Sequence, residues 1–194
     1  ASRSDHLLHQ LRALDNDLVG RGGRLLVRAG DPRTVVVAEA LEANAAAVYW
    51  NRDVTPYSIR RDTAVAAALP CPATTWYGSL VHAPGRVRTA SDEPYRVFTP
   101  FYRRWLETPW DAWPGSGEAD IAANAGDGIP EPAAPATVVP GEAAARHRLD
   151  AFATRVADYT EHRDRPDWDT TSRLSIDLKY GTLSPRTVVE AFPA

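Results

Sequence analysis

The chain opens on a regular pattern of leucines that predicts an amphipathic helix. Apolar side chains recur there at three- and four-residue steps, at Leu7, Leu8, Leu11, Leu14 and Leu18. Because an α-helix turns once every ~3.6 residues, this spacing places them on one face. Glycines within residues 20–23 follow directly, and they predict the end of the helix because glycine adopts the backbone conformations that close one.

Short apolar runs then alternate with helical patterns and predict a βαβ arrangement. The expected strands cover residues 25–27, 46–50 and 74–77, and the expected helices cover residues 34–44 and the stretch from Pro56 to Leu69. Strands that alternate with helices through short connections build a parallel sheet that helices cover on both faces. The sequence therefore predicts an α/β, doubly wound fold. Ligands of such folds bind beyond the carboxyl ends of the strands, here near residues 30–32 and 51–53.

The beginning of the chain does not match the usual order of a doubly wound domain. Such a domain normally begins with a strand, whereas this chain begins with a helical pattern. We therefore expect the first strand of the fold to be missing from this sequence. The chain also contains no methionine, which is compatible with a piece of a longer protein.

The composition changes after residue 108 and predicts two further parts. Residues 109–140 are rich in proline, glycine, alanine and acidic residues. We interpret them as an interdomain linker, poorly ordered unless it packs against a domain surface. Residues 141–194 show only helical patterns, at 143–158, 172–180 and 185–192. The predicted organisation is an α/β domain at 1–108, a linker, and the first helices of an all-α domain.

Composition and charge narrow the classes of function. The net charge of −3 provides no overall basic footprint for a nucleic acid, although a local patch is compatible with it. Cys71 is the single cysteine of the chain, which excludes an intramolecular disulfide and a multi-cysteine zinc site. No segment reaches the ~20 apolar residues of a membrane span. We expect a cytoplasmic monomer without a metal, in which Cys71 is a small packing residue.

Residues 97–105 form an aromatic segment with adjacent arginines, Arg103 and Arg104. It predicts a turn that leads into a helix. From the residues alone, the favoured interpretation is a helix held in a core by its phenylalanine and tryptophan side chains.

Residues 170–175 contain a cluster of hydroxyl side chains before a predicted helix. Such hydroxyls cap the free amides at a helix start, and the same amides and hydroxyls suit a phosphate or pyrophosphate. Ser184 before Pro185 repeats the pattern of a cap followed by a proline in the first turn. From these residues alone, two ordinary capped helices are the favoured interpretation, and a phosphate site is the alternative.

Several motifs in one order resemble the DNA photolyase and cryptochrome family. The later motifs resemble the start of its flavin-binding helical domain: Tyr159, Arg163-Asp164-Arg165-Pro166, Thr171-Ser172-Arg173-Leu174-Ser175, Leu178-Lys179-Tyr180-Gly181 and Ser184-Pro185-Arg186. The earlier motifs resemble its N-terminal α/β domain, which binds an antenna pigment: Arg28-Ala29-Gly30-Asp31-Pro32, Asn51-Arg52-Asp53-Val54-Thr55-Pro56-Tyr57, Arg61-Asp62 and the aromatic segment. The resemblance covers nearly the whole chain except the linker. Within this family, the chain resembles class I-like deoxyribodipyrimidine photolyases.

The resemblance implies a set of cofactor and DNA contacts. FAD lies in the helical domain of the family, and the matching residues here are Tyr159, which would flank the cofactor, and Thr171, Ser172, Arg173, Leu174 and Ser175, which would hold its phosphates. Arg163 matches an arginine that contacts DNA, where a guanidinium grips a backbone phosphate without reading sequence. From the residues alone, a solvent-facing ion pair of Arg163 with Asp164 or Glu161 is favoured.

The antenna pigment implied by the resemblance is a deazaflavin rather than methenyltetrahydrofolate. Family members that bind the folate carry a glutamate at a position that Ser58 occupies here. Members that bind a deazaflavin resemble this chain around Asp53 and Lys179, which would contact the pigment from the two domains. A structural salt bridge is the alternative role of both residues.

The implied reaction is light-driven repair of UV-damaged DNA. In this family, reduced FAD passes an electron to a cyclobutane pyrimidine dimer that is flipped out of the duplex, and the dimer splits. Most of the family's helical domain would follow Phe192, so we expect this chain alone to bind FAD weakly or not at all and to be inactive. The alternatives are a cryptochrome-type blue-light photoreceptor without repair activity, and a module that binds only the antenna pigment.

Overall fold

The computed structural model describes residues 2–111, 117–165 and 167–192. Its regular elements, in chain order, are α1 (Arg3–Val19), α2 (Pro32–Glu42), β1 (Val48–Asn51), α3 (Pro56–Ala68), β2 (Ala73–Trp76), α4 (Phe98–Glu107), α5 (Glu142–Ala153), a 3₁₀ turn (Val156–Asp158), α6 (Tyr159–His162), α7 (Ser175–Tyr180) and α8 (Pro185–Ala191). The predicted order of helices and strands is confirmed except at residues 25–27 and around residues 154–162, where the helix predicted over 143–158 ends at Ala153 and the short helix α6 was not predicted.

Strands β1 and β2 form a parallel pair that α3 connects. The register runs from Val48 opposite Ala73 to Asn51 opposite Trp76, and α2 packs against α3. Thr55 caps α3 by accepting a hydrogen bond from the Ser58 amide, and Pro56 occupies the first turn. This βαβ unit was predicted from the alternating periods, and its strand ends define one edge where a ligand can bind.

Residues 25–27 do not join the sheet, so the strand predicted there is wrong. Their backbone groups bond to the linker instead: Val27 N–H donates to the Ala125 carbonyl (3.2 Å), and Asp127 N–H donates to the Val27 carbonyl (2.8 Å). Val27 and Gly126 make an isolated parallel bridge. Gly126 has a φ of 61°, and a Cβ at this position would collide with the Val27 carbonyl. Only glycine fits this close approach without strain.

The described part of the linker lies against α1 and is ordered by hydrogen bonds to its polar face. Asp5 accepts from the Ala133 amide (2.7 Å) and Gln10 accepts from the Gly141 amide (2.7 Å), while a ring nitrogen of His9 bonds to the Ala134 carbonyl (2.9 Å). Asp5 and Gln10 are buried, whereas Leu7 and Leu14 of the same helix are exposed. The amphipathic helix is confirmed, but its polar side chains are the ones that make this contact.

Helix α4 forms as predicted, but it is not held in a core by its aromatic side chains. Phe98 is 71% exposed and Tyr102 is 44% exposed. The rings of these two residues stack on each other with centroids 5.6 Å apart, and Tyr102 stacks on Trp105 at 6.3 Å. No residue of α4 is buried, which corrects the interpretation favoured from the residues.

The helical part has a core of its own. Leu149 of α5, Leu174 before α7 and Leu183 before α8 are buried together with Ala145, and Val188 and Phe192 pack against them. Burial of each large apolar side chain stabilises the fold by about 1.5–3 kcal/mol.

An ion pair beside this core joins the helices to the linker. Asp177 is fully buried, and its carboxylate accepts two hydrogen bonds from the Arg148 guanidinium at 2.9 and 2.6 Å. The Thr182 hydroxyl donates to the same carboxylate (3.0 Å), and Arg148 also donates to the Val139 carbonyl (2.9 Å). One buried charge thus connects α5, α7, the turn before α8 and the end of the linker.

We predict that Asp177→Asn strongly destabilises the protein. The substitution keeps the shape of the side chain but leaves the Arg148 guanidinium, which is 20% exposed, without a charged partner. Breaking a buried pair in this way lowers the free energy of unfolding by about 3 kcal/mol, which urea denaturation followed by circular dichroism measures.

The matched control is Asp167→Asn, which breaks a two-bond pair with Arg165 whose side chains are 58% and 51% exposed. Because water screens exposed pairs, the expected change is below about 1 kcal/mol. Equal effects of the two substitutions would contradict the role assigned to the buried pair.

Candidate functional site at the strand ends

A cavity of about 740 Å³ lies at the carboxyl ends of β1 and β2. Its wall combines strand ends, the loop after β2, the start of the linker and α8: Asn51, Thr75, Trp76, Tyr77, Gly78, Val81, His82, Ala83, Arg86, Trp110, Asp111, Ser184 and Arg186. The sequence predicted a site near residues 51–53, and the cavity lies at this edge of the sheet. The contribution of α8 was not predicted.

Three local features shape the cavity: the paired strand ends, a glycine in the loop after β2, and a hydrogen bond from α8 to that loop. Asn51 and Trp76 are paired at the ends of their strands. Gly78 comes so close to Asn51 that a Cβ would lie 2.5 Å from the amide oxygen of Asn51, so a larger residue there would require the Asn51 side chain to move. Arg186 Nε donates to the Val81 carbonyl (3.3 Å), which holds α8 against the loop.

Aromatic rings and charged groups share the cavity wall. Trp76, Tyr77 and Trp110 provide flat apolar surface, while Arg86 and Arg186 are cationic and Asp111 is anionic. Such a wall suits a planar aromatic ligand with negative charge, because ring faces supply contact area and guanidinium groups attract anions.

His82 lies in the cavity wall and is only 9% exposed. Its Nε2 is 3.1 Å from the Trp105 carbonyl. The ring meets Trp105 edge-on, with centroids 5.3 Å apart, and lies 5.8 Å from the Trp110 ring. His82 therefore connects the loop after β2 to the last turn of α4.

Asp53 belongs to a hydrogen-bonded turn at the start of α3. Its carboxylate accepts hydrogen bonds from the Ser58 hydroxyl (3.0 Å) and from the Val54 amide (2.6 Å), and the Thr55 hydroxyl donates at 3.3 Å. The Ser58 bond is the main cause that lowers the pKa of Asp53 below its ordinary value. Asp53 is thus an anion whose bonding partners are supplied by its own turn.

The structure does not bring Asp53 and Lys179 together. Asp53 lines a separate cavity of about 150 Å³ between the strands and α3, and Lys179 is not part of that wall. Lys179 is exposed on the last turn of α7. A joint contact of the two residues with a pigment stays a prediction.

The predicted flavin segment forms an exposed turn before α7. Arg173 has a φ of 52°, a left-handed conformation that prevents the helix from starting at residue 172. The helix starts at Ser175 without a side-chain cap, so the expectation that the hydroxyl cluster caps it is wrong. Ser172 Oγ accepts instead from the Leu174 amide at 3.4 Å. The capped start predicted for α8 is confirmed, since Ser184 accepts from the Arg186 amide.

The side chains of this turn differ in what they offer a ligand. Thr171 and Ser175 are exposed, whereas Leu174 is buried in the helical core. The Arg173 guanidinium donates to Asp169 at 2.6 Å. Tyr159 is 36% exposed and packs edge-on against Phe152 at 5.8 Å. The turn thus presents hydroxyl groups and leaves one face of Tyr159 open, but the phosphate contacts stay a prediction.

Arg163 lies just after α6 with its side chain 58% exposed, and Asp164 is 3.5 Å from its Nε. This is the ion pair that the residues alone favoured. The guanidinium still faces solvent, so the DNA contact that the resemblance implies also stays a prediction.

The sequence analysis did not identify three residues that matter in the structure, His82, Arg148 and Asp177. A signal for Asp177 exists, because it lies three residues after Leu174 and one before Leu178 in a helical pattern, so a charge there falls beside an apolar face. His82 follows Leu80 and Val81, and a histidine in such a run is compatible with burial. Neither pattern identifies the group to which the side chain bonds, which is Arg148 for Asp177 and the Trp105 carbonyl for His82.

The described residues show neither a metal-binding cluster nor a membrane-spanning helix. Within 2–111, 117–165 and 167–192, no cluster of three or more metal-binding side chains is present. In the same part of the chain, no helix has the length and apolarity needed to cross a membrane.

Known proteins share both the sequence and the fold of this chain. The deoxyribodipyrimidine photo-lyase of Halobacterium salinarum is 37% identical over 202 residues, covering 95% of this chain and 42% of the photo-lyase. A class III photolyase from Agrobacterium tumefaciens superposes with a TM-score of 0.74 at 32% identity, covering 97% of this chain and 43% of that protein. A Synechocystis cryptochrome has a TM-score of 0.76 at 23% identity, covering 97% of this chain and 44% of its own, which shows the fold alone.

These matches confirm the predicted α/β fold. They also show that the chain spans about two-fifths of the length of the photo-lyases it matches. A family model described as DNA photolyase matches residues 1–118, more than half of the 194 residues. The chain therefore belongs to the DNA photolyase family.

Proposed function

We propose that this chain serves in a light-driven deoxyribodipyrimidine photo-lyase that splits cyclobutane pyrimidine dimers in UV-damaged DNA. Its α/β part would bind the antenna pigment, and its helical part would form the entrance to the FAD site. The observation that carries the proposal is the cavity at the carboxyl ends of β1 and β2, which lies where α/β proteins bind ligands. The 37% identity to a photo-lyase supports the reaction class.

The cavity suits a pigment of flavin size. Its volume of about 740 Å³ falls within the ~300–1,000 Å³ of typical small-molecule sites. Trp76 and Trp110 offer ring faces, and Arg86 and Arg186 favour an anionic ligand. A hydroxylated deazaflavin is planar and carries an acidic hydroxyl.

A folate antenna has less support from the residues. The position where folate-binding relatives carry a glutamate is Ser58 here, and its hydroxyl already donates to Asp53. A serine in that arrangement supplies no carboxylate to the pigment. We therefore propose a deazaflavin as the pigment. Asp53 and Lys179, which the family resemblance assigns to the pigment, lie outside the wall of this cavity, so their contacts with it stay a prediction.

The turn before α7 fits the phosphates of FAD in its chemistry. The Thr171 and Ser175 hydroxyls are exposed and can donate to phosphate oxygens. Arg173 could add its guanidinium by exchanging the exposed carboxylate of Asp169 for a phosphate. Tyr159 would flank the cofactor with the part of its ring that Phe152 leaves uncovered. FAD supplies the electron transfer when it is bound.

The side chain of Arg163 would position DNA. Its guanidinium is more than half exposed, and Asp164 is its exposed partner at 3.5 Å. Exchanging a solvated carboxylate for a backbone phosphate costs little, because exposed pairs are weak. A dimer flipped out of the duplex would then reach the flavin site.

A cryptochrome-type photoreceptor is the second candidate function. A cryptochrome and photolyases share this fold, so the fold supports a photoreceptor as well as it supports a repair enzyme. The sequence identity of 32–38% to several photo-lyases and photolyases favours the enzyme. An antenna-binding module is the third candidate, and the cavity supports it as directly as it supports the photo-lyase.

The repair proposal predicts light-dependent loss of pyrimidine dimers from UV-irradiated DNA by the native protein. Arg163→Gln is expected to weaken retention of damaged DNA about tenfold, because one phosphate contact is lost. The control is Arg155→Gln on the same part of the chain. Light-driven reduction of the flavin without any loss of dimers would instead support the cryptochrome candidate.

The antenna proposal predicts that the chain binds a hydroxylated deazaflavin more tightly than methenyltetrahydrofolate. Fluorescence titration measures both. Arg86→Gln removes a cation from the cavity wall, and we expect about tenfold weaker deazaflavin binding.

The matched control for Arg86 is Arg88→Gln. Arg88 lies on the same loop and is paired with Gly85 and Asp92 outside the cavity wall. Tighter binding of the folate, or equal binding by both variants, would overturn the pigment assignment.

We predict that the chain alone binds FAD weakly, because its helical part would form only the entrance to the FAD site. The described residues offer one turn and one tyrosine face, which is little contact area for a cofactor of this size. We expect the purified 194-residue chain to carry far less than one FAD per chain by absorbance. Stoichiometric FAD absorbance after purification would contradict this expectation.

A further inference from the structure

The side-chain amide of Asn51 is an unpaired polar group in the wall of the cavity at the strand ends. Asn51 is exposed, and it lines this cavity. In the part of the chain that the structure describes, no protein group forms a hydrogen bond with its side chain. Because the residue is accessible from the cavity, a ligand there can reach the amide directly.

The loop after β2 leaves the polar head of this amide uncovered. A Cβ at Gly78 would lie 2.5 Å from Oδ1, 2.6 Å from Nδ2 and 2.7 Å from Cγ of Asn51. These nearly equal distances mean that both polar atoms face residue 78, which also lines the cavity. The φ of Gly78 is not in the left-handed region, so its backbone does not require a glycine. Any side chain at residue 78 would displace the amide or cover it.

A flat aromatic surface lies beside the amide. Asn51 and Trp76 are register partners on neighbouring strands, which run ~4.8 Å apart with paired side chains on the same face. The Trp76 indole is 53% exposed and also lines the cavity. It stacks on the Tyr49 ring with centroids 5.8 Å apart. A planar ligand that packs against Trp76 therefore brings its edge within reach of Asn51.

A primary amide recognises one arrangement of polar atoms. It carries a carbonyl acceptor beside an NH₂ donor, so it forms two parallel hydrogen bonds with a ligand edge on which an acceptor and an N–H are adjacent. Asparagine reads the edge of adenine in DNA by the same geometry. A lactam or imide in a heterocyclic ring presents such an edge, with C=O next to N–H.

We propose that Asn51 is a specificity-determining residue of the cavity, which forms paired hydrogen bonds with the lactam or imide edge of a planar aromatic ligand. Gly78 is the positioning residue that keeps the amide accessible. The inference deepens the proposed antenna function and rests on it, because it assumes that a pigment occupies this cavity. A deazaflavin carries an imide of this kind. Methylation of the imide nitrogen removes the donor and leaves the Asn51 carbonyl unpaired, so the methylated ligand is discriminated against.

The experiment is a fluorescence titration of the full chain with hydroxylated deazariboflavin and with its derivative methylated at the imide nitrogen. We expect the original chain to bind the methylated derivative about tenfold more weakly, as the loss of one hydrogen bond implies. Asn51→Leu keeps a similar shape without polar atoms, and its affinities for the two pigments are expected to differ by less than about twofold. A purely structural role of Asn51 would weaken both pigments equally and leave their ratio unchanged.

Gly78→Ala tests the positioning role, because the added methyl group displaces the amide without removing it. The preference for the unmethylated pigment is expected to fall below about threefold. In the Asn51→Leu background, the same methyl group is expected to change deazariboflavin binding by less than about twofold, since no amide is left to displace. The matched control is Asn16→Leu, an exposed asparagine of α1 outside this cavity, with the tenfold preference retained.

The outcomes distinguish this inference from the antenna function. If the original chain binds both pigments equally well, or if Asn51→Leu keeps the preference, the role of Asn51 is overturned while the antenna function stands. If Gly78→Ala weakens binding equally with and without the Asn51 amide, the methyl group acts by filling the cavity and the role of Gly78 is overturned. If the original chain binds neither deazariboflavin nor methenyltetrahydrofolate, the antenna function fails, and the inference fails with it.

Discussion

The carboxylate of Asp177 has no contact with water, so its charge is compensated inside the protein by Arg148. Removing a charge from water is costly, and the cost is offset only when the partner is close and the remaining lone pairs are bonded. Here the carboxylate accepts three hydrogen bonds: two come from the guanidinium and one comes from the Thr182 hydroxyl. Each partner belongs to a different segment, so the requirement to satisfy one carboxylate fixes the relative position of those segments.

The effect of this pair reaches the candidate site through the chain that follows α7. Gly181 turns the backbone with a φ of 75°, Thr182 is held by Asp177, and Leu183 is buried in the helical core. Ser184 then caps α8, and Arg186 reaches the Val81 carbonyl above the strand ends. The side of the cavity that α8 forms is thus determined by a charge buried outside the cavity.

The sequence predicted those elements whose determinants are local. Strands β1 and β2 and helices α2 and α3 have clear periods, proline starts and short connections, and they appear within a few residues of the expected bounds. Residues 25–27 look like a strand by the same local criteria, but the choice of a pairing partner is not local. Val27 bonds to residues 125 and 127, and the linker sequence gives no sign of this apart from glycine at 126.

The candidate site shows the same limit. Strand ends near residues 51–53 were predicted as a ligand edge because any parallel sheet exposes ligands there, and the cavity lies at that edge. His82 could not be found in this way, since its burial and its bond to the Trp105 carbonyl depend on the fold. The start of α7 was misplaced because a left-handed residue such as Arg173 carries no reliable mark in the sequence.

The position of the cavity between the two parts has an energetic consequence. Trp76, His82 and Trp110 belong to the α/β part and the start of the linker, and Ser184 and Arg186 belong to the helical part. A ligand in the cavity contacts both parts and binds best when they are docked as observed, so by linkage its binding stabilises that arrangement. The same contacts would place a pigment at a fixed distance from the turn before α7. An antenna needs such a fixed geometry, and in this chain it would be supplied by the docking of α8 on the strand ends rather than by the sheet alone.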